Sequence, residues 1–260
     1  VGDGVDQDCD GADATSMLSL FSSYACGINE DKQIQCFNPY DSNIEFNEPE
    51  GDFVAVSTGE DVTCALSTTG EIECWGWGAW DVQEYVPSGT YVDIHVTSTS
   101  ACATSTESEV RCWGWDSHGK NQIPNDDIIS VRQGYEFSCG LDNTLQAHCW
   151  GGSYYGQTYP PLGRFEKIVA TSFTACSLEQ NGRILCWGYN EYDHLDVPSG
   201  SFIDIDISDS FACAVDTNNQ VHCWGGQDDD NEYYDVQGDF QEDLYIQKAA
   251  SLLHLLLKRA

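Results

Sequence analysis

The sequence predicts an all-β fold, a β-propeller built from disulfide-stapled repeats of about 37 residues. Three observations predict it: a ten-residue cysteine interval recurs six times, a strand-like stretch precedes the interval, and Pro and Gly mark the turns between repeats. The first cysteines of the six intervals lie at positions 26, 64, 102, 139, 176 and 213. Their spacing of 37 or 38 residues is typical of propellers, solenoids and other repeat arrays.

Each cysteine interval is predicted to be a two-stranded antiparallel hairpin. In a hairpin, the two residue numbers of every directly opposed pair add up to the same value. Cys64 with Cys74 gives the same sum as Leu66 with Ile72. Because residues two apart share a face of a strand, each cysteine pair lies beside an apolar pair. Opposed Cβ atoms are about 4.5–5.5 Å apart, near the distance that a disulfide bridges. We therefore expect six hairpin disulfides: Cys26–Cys36, Cys64–Cys74, Cys102–Cys112, Cys139–Cys149, Cys176–Cys186 and Cys213–Cys223.

A further strand is predicted upstream of each hairpin from the second repeat onward. Stretches such as "FVAVS" from position 53 and "FIDIDIS" from position 202 alternate apolar with polar residues, which is typical of a half-buried strand. Sequences such as "VPSGTY" and "VPSGSF" provide Pro and Gly for the turn that leads into it. Each repeat therefore contains at least three short strands and no predicted helix, which favours propeller blades over a helical solenoid.

The repeat pattern resembles a known family. It is similar to the regulator of chromosome condensation repeat, in the cysteine-rich form found in exported bacterial proteins. The shared pattern is F-x-x-I, then C-A-L-x-x-x-G-x-I-x-C-W-G, then P-x-G. The resemblance covers residues 14–240 and implies a propeller, in most members seven-bladed. It implies roles such as nucleotide exchange on a chromatin-bound GTPase, ultraviolet sensing or inhibition of secreted β-lactamases. Disulfides and negative charge disfavour the first role, and the absence of Trp followed by Arg disfavours the second.

The number of blades is predicted to be seven, with six as the alternative. Six stapled repeats are evident, and Phe240 matches Phe53 as the start of a seventh. Residues 241–260 are a partial last repeat that runs into the Leu-rich stretch "IQKAASLLHLLLKRA", which is predicted to be a short helix. This helix could dock on its own propeller, insert into a partner, or support self-assembly of the chain.

Charge and cysteine content exclude some classes of function. The 43 acidic and 10 basic side chains give a formal net charge of −33, which repels nucleic acid and anionic membrane surfaces. Twelve of the 13 cysteines fall into the regular pairs, so we expect an oxidising compartment and an extracellular or cell-surface location. No run of about 18 apolar residues is present, so no transmembrane segment is predicted. The lack of an initiator Met suggests the mature part of an exported precursor, or a piece of a longer chain.

Residues 1–13 are predicted to be an acidic linker that contains a calcium loop. The segment "DQDCDG" fits the pattern D-x-D-x-D-G, in which alternating carboxylates supply the hard oxygen ligands that calcium prefers. It resembles the short calcium loops of thrombospondin type-3 repeats and dockerins. That resemblance implies side-chain ligands at Asp6, Asp8 and Asp10 and the carbonyl of Ala12, with a structural role for a Ca²⁺ ion. A flexible acidic linker without metal is the alternative.

Aromatic residues follow each hairpin in two groups. The residue directly after the second cysteine is Trp in five repeats and Phe37 in the first, and it is predicted to pack between blades. The second group lies in the loops that follow, interleaved with acids such as Asp116 and Glu191. Equivalent loops of a ring emerge on one face, so we expect a binding face with these residues: Trp77, Trp80, Trp115, Tyr154, Tyr155, Tyr189, Tyr192, Tyr233 and Tyr234.

The aromatic loops suggest a binding function. Such side chains dominate protein interfaces and also stack on sugars. No nucleophile elbow, zincin motif or phosphate loop is present in the sequence. We therefore expect a secreted, non-enzymatic propeller at a bacterial surface that engages a protein partner through one face. A glycan-binding module and a structural subunit of an extracellular assembly are the alternatives.

Overall fold

The described part of the chain folds into six consecutive three-stranded antiparallel sheets. The computed structural model describes residues 18–21, 24–29, 31–38, 46–77, 80–125, 127–209 and 211–226. Each sheet corresponds to one cysteine repeat, so the sheets are the blades of the propeller, and the all-β prediction is confirmed. The predicted seventh blade, which would begin at Phe240, and the helix predicted within 241–260 lie outside the described residues.

The three strands of each blade pair in the order in which they occur along the chain. Blades 1 to 3 contain β1 (Leu18–Phe21), β2 (Tyr24–Ile28), β3 (Ile34–Phe37), β4 (Phe53–Thr58), β5 (Val62–Ser67), β6 (Ile72–Gly76), β7 (Tyr91–Val96), β8 (Ser100–Ser105) and β9 (Val110–Gly114). Blades 4 to 6 contain β10 (Ile128–Gln133), β11 (Phe137–Asp142), β12 (Ala147–Gly151), β13 (Phe165–Ala170), β14 (Thr174–Glu179), β15 (Ile184–Gly188), β16 (Phe202–Ile207), β17 (Phe211–Asp216) and β18 (Val221–Gly225).

The hairpins have the register that the sequence predicts. In blade 2, Cys64 lies opposite Cys74 and Leu66 lies opposite Ile72. All six predicted cysteine pairs are disulfides, with the two Cα atoms 4.0–4.1 Å apart. The side chains therefore alternate between two faces of each blade, and the disulfide lies on the same face as the apolar pair.

In blades 1 to 5, the disulfide face packs on the opposite face of the next blade. Between blades 5 and 6, Cys176 and Leu178 contact Phe202, Ile205 and Trp224 in one buried cluster. Similar clusters join blades 1 and 2, blades 2 and 3, blades 3 and 4, and blades 4 and 5. The hydrophobic core of the described residues is thus divided among the interfaces between blades, and the disulfides of blades 1 to 5 each lie within one of these interfaces or at its edge.

The Trp after the second cysteine links neighbouring blades, as predicted. Trp187 is only 8% exposed and packs against blade 4. Its indole Nε1–H donates a hydrogen bond of 2.8 Å to the carbonyl oxygen of Gln157, 30 residues earlier in the chain. The same bond recurs in other blades, from Trp113 to Val82, from Trp150 to Lys120 and from Trp224 to His194.

A short helix interrupts the all-strand pattern, although the sequence predicts no helix within the repeats. Helix α1 (Trp80–Glu84) lies in the loop between blades 2 and 3. Its Val82 is completely buried, and the Val82 carbonyl accepts the indole hydrogen bond of Trp113. A single helical turn is too short a pattern for periodicity to reveal. Within the described ranges, no helix has the length and apolar character needed to cross a membrane.

The first strands of the blades lie innermost, because each contacts the first strand of the neighbouring blade. Their polar side chains pair across blades. Arg132 of blade 4 donates to Asp93 of blade 3 at 2.8 Å, and Lys167 of blade 5 donates to Asp204 of blade 6 at 2.6 Å. Burial disfavours the Asp93 carboxylate, yet the Arg132 charge outweighs this effect and lowers the pKa of Asp93. These pairs cross-link the centre of the propeller.

We expect the protein to lose stability as pH falls from about 6.5 to about 4 because of His95. Burial and then the charge of Arg132 lower the pKa of His95 to about 4, with Lys120 acting in the same direction and Asp93 opposing it. A lowered imidazole pKa means that unfolding is accompanied by proton uptake within this range. The loss of stability can reach about 3 kcal/mol, an upper limit because His95 keeps part of its surface exposed.

Urea denaturation at pH 7, 5.5 and 4.5 measures this effect. The variant His95→Gln lacks the titrating group but keeps a donor for the Gln133 carbonyl, which lies 3.4 Å from His95 Nε2. We expect a flatter dependence of the unfolding free energy on pH in the variant. Parallel curves for the two proteins would assign the acid sensitivity to other groups.

Candidate binding face

The turns between first and second strands lie beside the loops that follow the third strands. The backbone N–H of Trp115, after β9, donates to the carbonyl of Thr99 in the β7–β8 turn at 2.9 Å. The backbone N–H of Tyr189, after β15, donates to the carbonyl of Phe173 in the β13–β14 turn at 3.0 Å. We call the side of the propeller that carries these turns and loops the loop face.

Five aromatic side chains form a continuous stripe on the loop face, across blades 3, 4 and 5. The ring of Trp115 lies 5.7 Å from that of Tyr135, which lies 6.1 Å from Phe173. Tyr155 then contacts Phe173 at 5.6 Å and Tyr189 at 4.3 Å. We call these five residues the aromatic stripe. Trp115, Tyr135 and Tyr155 are 41–49% exposed, so the stripe presents ring surface to solvent.

A buried lysine supports one end of the stripe. Lys120 has no exposed surface, and its ammonium group donates to the carbonyls of Tyr135 at 2.8 Å and Gly134 at 3.4 Å. The same group lies 5.6 Å from the centre of the Trp115 ring, within the range of a cation–π contact. Burial lowers the pKa of Lys120 to about 8, although the charges of Asp116 and Glu136 oppose the shift. Lys120 therefore holds Trp115 and the Tyr135 turn together.

The Tyr135 turn fits closely against the next blade. A Cβ atom added to Gly134 would lie 2.2 Å from a Phe137 ring carbon and 2.4 Å from the carbonyl oxygen of Thr171. Real Cβ contacts are not this short, so the close approach of blades 4 and 5 at this point requires glycine. The two blades are thereby brought near enough for Tyr135 to contact Phe173.

Buried polar groups hold the other end of the stripe. The side-chain oxygen of Gln157, a residue only 1% exposed, accepts the backbone N–H of Tyr155 at 2.8 Å. The hydroxyl of Thr174, which is also buried, donates to the carbonyl of Tyr189 at 2.7 Å. The backbone of Tyr189 is thus bound to strand β14, and that of Tyr155 to a buried side chain of its own loop. Both bonds restrict the tyrosines before binding, which reduces the entropy that binding would cost.

Carboxylates surround the stripe. Asp116 accepts the backbone N–H of Asn121 at 2.9 Å and the side-chain amide of Gln122 at 3.0 Å, so its position is fixed. Glu191 accepts the hydroxyl hydrogen bond of Tyr189, which raises the pKa of that tyrosine to about 12. The tyrosine therefore stays neutral as a donor at physiological pH. The arrangement combines apolar ring surface with a negative border.

The structure brings together three of the residues that the sequence assigns to the binding face, namely Trp115, Tyr155 and Tyr189. Tyr154 lies beside them, with its hydroxyl 3.0 Å from His118 Nε2. Tyr192 packs edge-on against His194 at 6.3 Å, near the start of blade 6. Trp77 lies apart from the stripe, in the loop of blade 2, and is 68% exposed.

Other predicted site residues cannot be placed on this face from the structure. Trp80 is the first residue of α1, but its side chain lies outside the described part of the chain. Tyr233 and Tyr234 lie outside the described residues altogether. The predicted calcium ligands also lie outside them, so that site stays a prediction: Asp6, Asp8, Asp10 and Ala12.

The sequence reasoning missed two members of the stripe, Tyr135 and Phe173. Both lie in the turns between first and second strands, whereas the prediction considered only the loops after the third strands. The signal was present, because each is an aromatic residue in a short segment of small and polar residues, "GYE" and "TSF". The turn and the loop of one blade are joined by backbone hydrogen bonds, which the repeat spacing alone does not reveal.

The chemistry of this face is that of binding. It offers exposed rings, fixed hydrogen-bond acceptors and negative charge, which together suit apolar and cationic groups. In the described ranges, no three or more His, Cys, Asp or Glu side chains are grouped as they would be around a metal ion.

Known proteins share this fold and part of this sequence. The model of the regulator of chromosome condensation (RCC1) repeat matches residues 165–193 and 202–233, which include the strands of blades 5 and 6. No curated protein matches the sequence of the chain. Among solved structures, the chain is similar to the entire ectodomain of the receptor kinase CR4 from Physcomitrella patens, with 25% identity and a TM-score of 0.70.

The CR4 match covers 81% of this chain and 63% of the ectodomain, so the chain spans less than two thirds of that protein's length. The chain is also similar to Prp20p from Saccharomyces cerevisiae, with 13% identity and a TM-score of 0.67, over 80% of this chain and 71% of Prp20p. The ectodomain of the Arabidopsis thaliana receptor kinase ACR4 matches with 21% identity and a TM-score of 0.51, over 82% of this chain and 95% of that one. With the repeat match in blades 5 and 6, these likenesses identify the fold of the chain as that of an RCC1-like repeat propeller.

Proposed function

We propose that the protein is an extracellular, non-enzymatic propeller that binds a protein partner through its loop face. The observation that carries this proposal is the aromatic stripe, a row of rings that are partly exposed and fixed from below by buried polar groups. Rigid exposed aromatics lose little entropy on binding and are enriched at the energetic centres of protein interfaces.

The relatives support a protein-binding role for this fold. Prp20p is described with its binding to Gsp1p and histones and in a complex with Kap60. CR4 and ACR4 contribute receptor ectodomains. A propeller is a scaffold for many activities, so the partner must be inferred from the loop face of this chain and not from these names.

The disulfides support an extracellular location. Six cross-links in the described residues would be reduced in an ordinary cytosol but persist in an oxidising compartment. Receptor ectodomains are among the structures that resemble the chain. A bacterial source, which the family resemblance implies, stays a prediction.

We expect a partner with an apolar centre and a basic border. The stripe offers ring surface, and Asp116, Glu136 and Glu191 add negative charge around it. The formal net charge of −33 accelerates association with a basic protein and makes the association rate fall with salt.

Surface plasmon resonance with a panel of purified extracellular proteins tests the proposal. We expect the double variant Tyr155→Ala/Tyr189→Ala to weaken binding of the partner at least about tenfold, because two central aromatic contacts are lost. The matched control is Tyr159→Ala, since Tyr159 is 75% exposed and makes no aromatic contact with the stripe in the described residues.

Equal affinities for the wild type and the double variant would show that the stripe is not the binding face. A weakened association that appears also in Tyr159→Ala would point to a general change in the protein. A drop in the association rate with added salt, at an unchanged dissociation rate, is the expected signature of the acidic border.

Glycan binding is a second candidate, favoured by the exposure of single rings. Trp77 is 68% exposed and Tyr154 is 66% exposed, and planar rings of this kind stack on the apolar faces of sugars. A glycan array that is positive for one sugar class, and negative with Trp77→Ala or Trp115→Ala, would favour this function over protein binding.

A further inference from the structure

A separate pocket opens between blades 1 and 2, away from the aromatic stripe. Its volume is about 90 Å³, well above the roughly 10–15 Å³ that one water molecule requires. Aromatic and acidic side chains dominate the wall. The lining residues are Tyr24, Asn38, Phe46, Glu60, Asp61, Thr63, Trp75, Gly76 and Trp77.

The aromatic part of the wall is anchored in the core. Tyr24 is only 7% exposed, and its hydroxyl lies 2.9 Å from the Thr63 hydroxyl. The Tyr24 ring packs at 5.3 Å against Phe46, and Trp75 adds a partly buried indole to the same cluster. These rings are thus held in place without a ligand. Trp77 stands at the rim and is largely exposed.

The charged part of the wall is negative. Glu60 and Asp61 are exposed in the β4–β5 turn, and the backbone N–H of Trp77 donates to the carbonyl of Asp61 at 2.9 Å. Burial raises the pKa of Tyr24, and the nearby charge of Asp61 raises it further. Among the described residues that line the pocket, none is Lys, Arg or His. The described wall of the pocket therefore combines ring surfaces with two carboxylates and carries no basic side chain.

We propose that this pocket binds an organic cation, namely the ammonium or guanidinium group of a side chain of the protein partner. Aromatic rings attract cations through the negative charge of their faces, and carboxylates at the rim add a direct ionic attraction. The inference rests on the proposed function in one respect, because it assigns the cation to the partner that the loop face binds.

A metal ion fits the pocket less well than an organic cation. Calcium takes six to eight oxygen ligands, and the described wall offers two carboxylates, one amide and two hydroxyl groups, which bond each other, among aromatic rings. An alkyl-ammonium group, in contrast, can contact the rings directly. Its carbon atoms carry part of the positive charge and also pack well against an apolar surface.

Titration of the isolated protein with small cations tests the inference without the partner. The probes are N-acetyl-lysine methylamide, its trimethylated form and N-acetyl-arginine methylamide, with N-acetyl-glutamine methylamide as the neutral analogue. Binding is followed by calorimetry and by tryptophan fluorescence. We expect the cationic probes to bind and the glutamine analogue not to bind. The ranking of the three cations then distinguishes a lysine, a methylated lysine or an arginine.

Variants locate the binding. We expect Trp77→Ala and the double variant Glu60→Gln/Asp61→Asn each to weaken the cationic probes by about fivefold or more. The matched controls are Tyr85→Ala and Glu107→Gln, because Tyr85 is 60% exposed, Glu107 is exposed, and neither lines the pocket. These controls separate the pocket from the general attraction of cations to an acidic protein.

The outcome separates this inference from the proposed function. Absence of cation binding, equal binding of the glutamine analogue, or equal weakening in the control variants would each overturn the pocket assignment. A partner whose binding depends on Tyr155 and Tyr189 would still support the loop face in that case. Conversely, cation binding that requires Trp77 supports the pocket even if the stripe variants retain their partner.

Discussion

Reduction of the six disulfides is expected to unfold the protein under conditions in which the oxidised protein stays folded. Each disulfide joins cysteines ten residues apart. For a loop of this length, the chain-entropy estimate is about 2.7 kcal/mol of stabilisation per cross-link. The six together reach on the order of 16 kcal/mol, which is comparable to the entire stability of a typical domain.

Circular dichroism with and without a phosphine reductant measures this effect. We expect a cooperative loss of the β-sheet signal in the reduced protein at a temperature where the oxidised protein keeps it. The double variant Cys139→Ala/Cys149→Ala removes one cross-link and should cost about 3 kcal/mol. A reduced protein with an unchanged melting temperature would contradict the prediction, because the interfaces between blades would then suffice.

Trp187→Ala is expected to destabilise the protein by about 3–5 kcal/mol. The indole ring fills the interface between blades 4 and 5, where it is 8% exposed. Removal leaves a cavity and also an unpaired carbonyl oxygen on Gln157, which now accepts the indole N–H at 2.8 Å. The loss of this hydrogen bond adds a penalty of its own, because the carbonyl oxygen is buried and the deleted ring supplied its donor.

Two further variants divide this effect into its parts. Trp187→Phe keeps most of the ring volume and loses the hydrogen bond, so a cost of about 1–2 kcal/mol is expected. Trp77→Ala removes an indole that is 68% exposed, and its effect on stability should stay within about 0.5 kcal/mol. Urea denaturation of the three variants measures the differences. Similar costs for Trp187→Ala and Trp77→Ala would contradict the role assigned to Trp187 between blades.

The hairpins were predictable because their determinants are local. Each cysteine pair defines which residues of the two strands lie opposite each other. Because residues two positions apart share a face of a strand, the apolar pair lies on the same face as the cysteines. The first strands were predictable for the same reason, since "FVAVS" and "FIDIDIS" show their buried positions directly. Helix α1 was not predictable, because the burial of its Val82 depends on contact with Trp113 of the next blade, which lies 31 residues away in the chain.

The binding face was predictable only in part. The loops after each third strand are equivalent in the repeat, so Trp115, Tyr155 and Tyr189 could be assigned to one side of a ring. The contacts of Trp115 with Tyr135 and of Tyr155 with Phe173 arise between different blades. The spacing of the repeats does not specify the distance between turns and loops of neighbouring blades. Lys120 shows the same limit, since a lysine in a polar loop gives no sign that it will be buried.

The sequence by itself determined the repeat, the strand order within a blade, the disulfide pairing and the acidic character of the surface. These properties depend on residues within one repeat, such as cysteines ten positions apart, on the period of the repeats, or on composition. Only the tertiary structure decided which side chains meet across blades: the aromatic stripe, the pocket beside Trp77 and the pairing of Arg132 with Asp93. The physical reason is that contacts between blades depend on how closely two packed sheets approach each other. The fit of the backbone at positions such as Gly134 sets this distance.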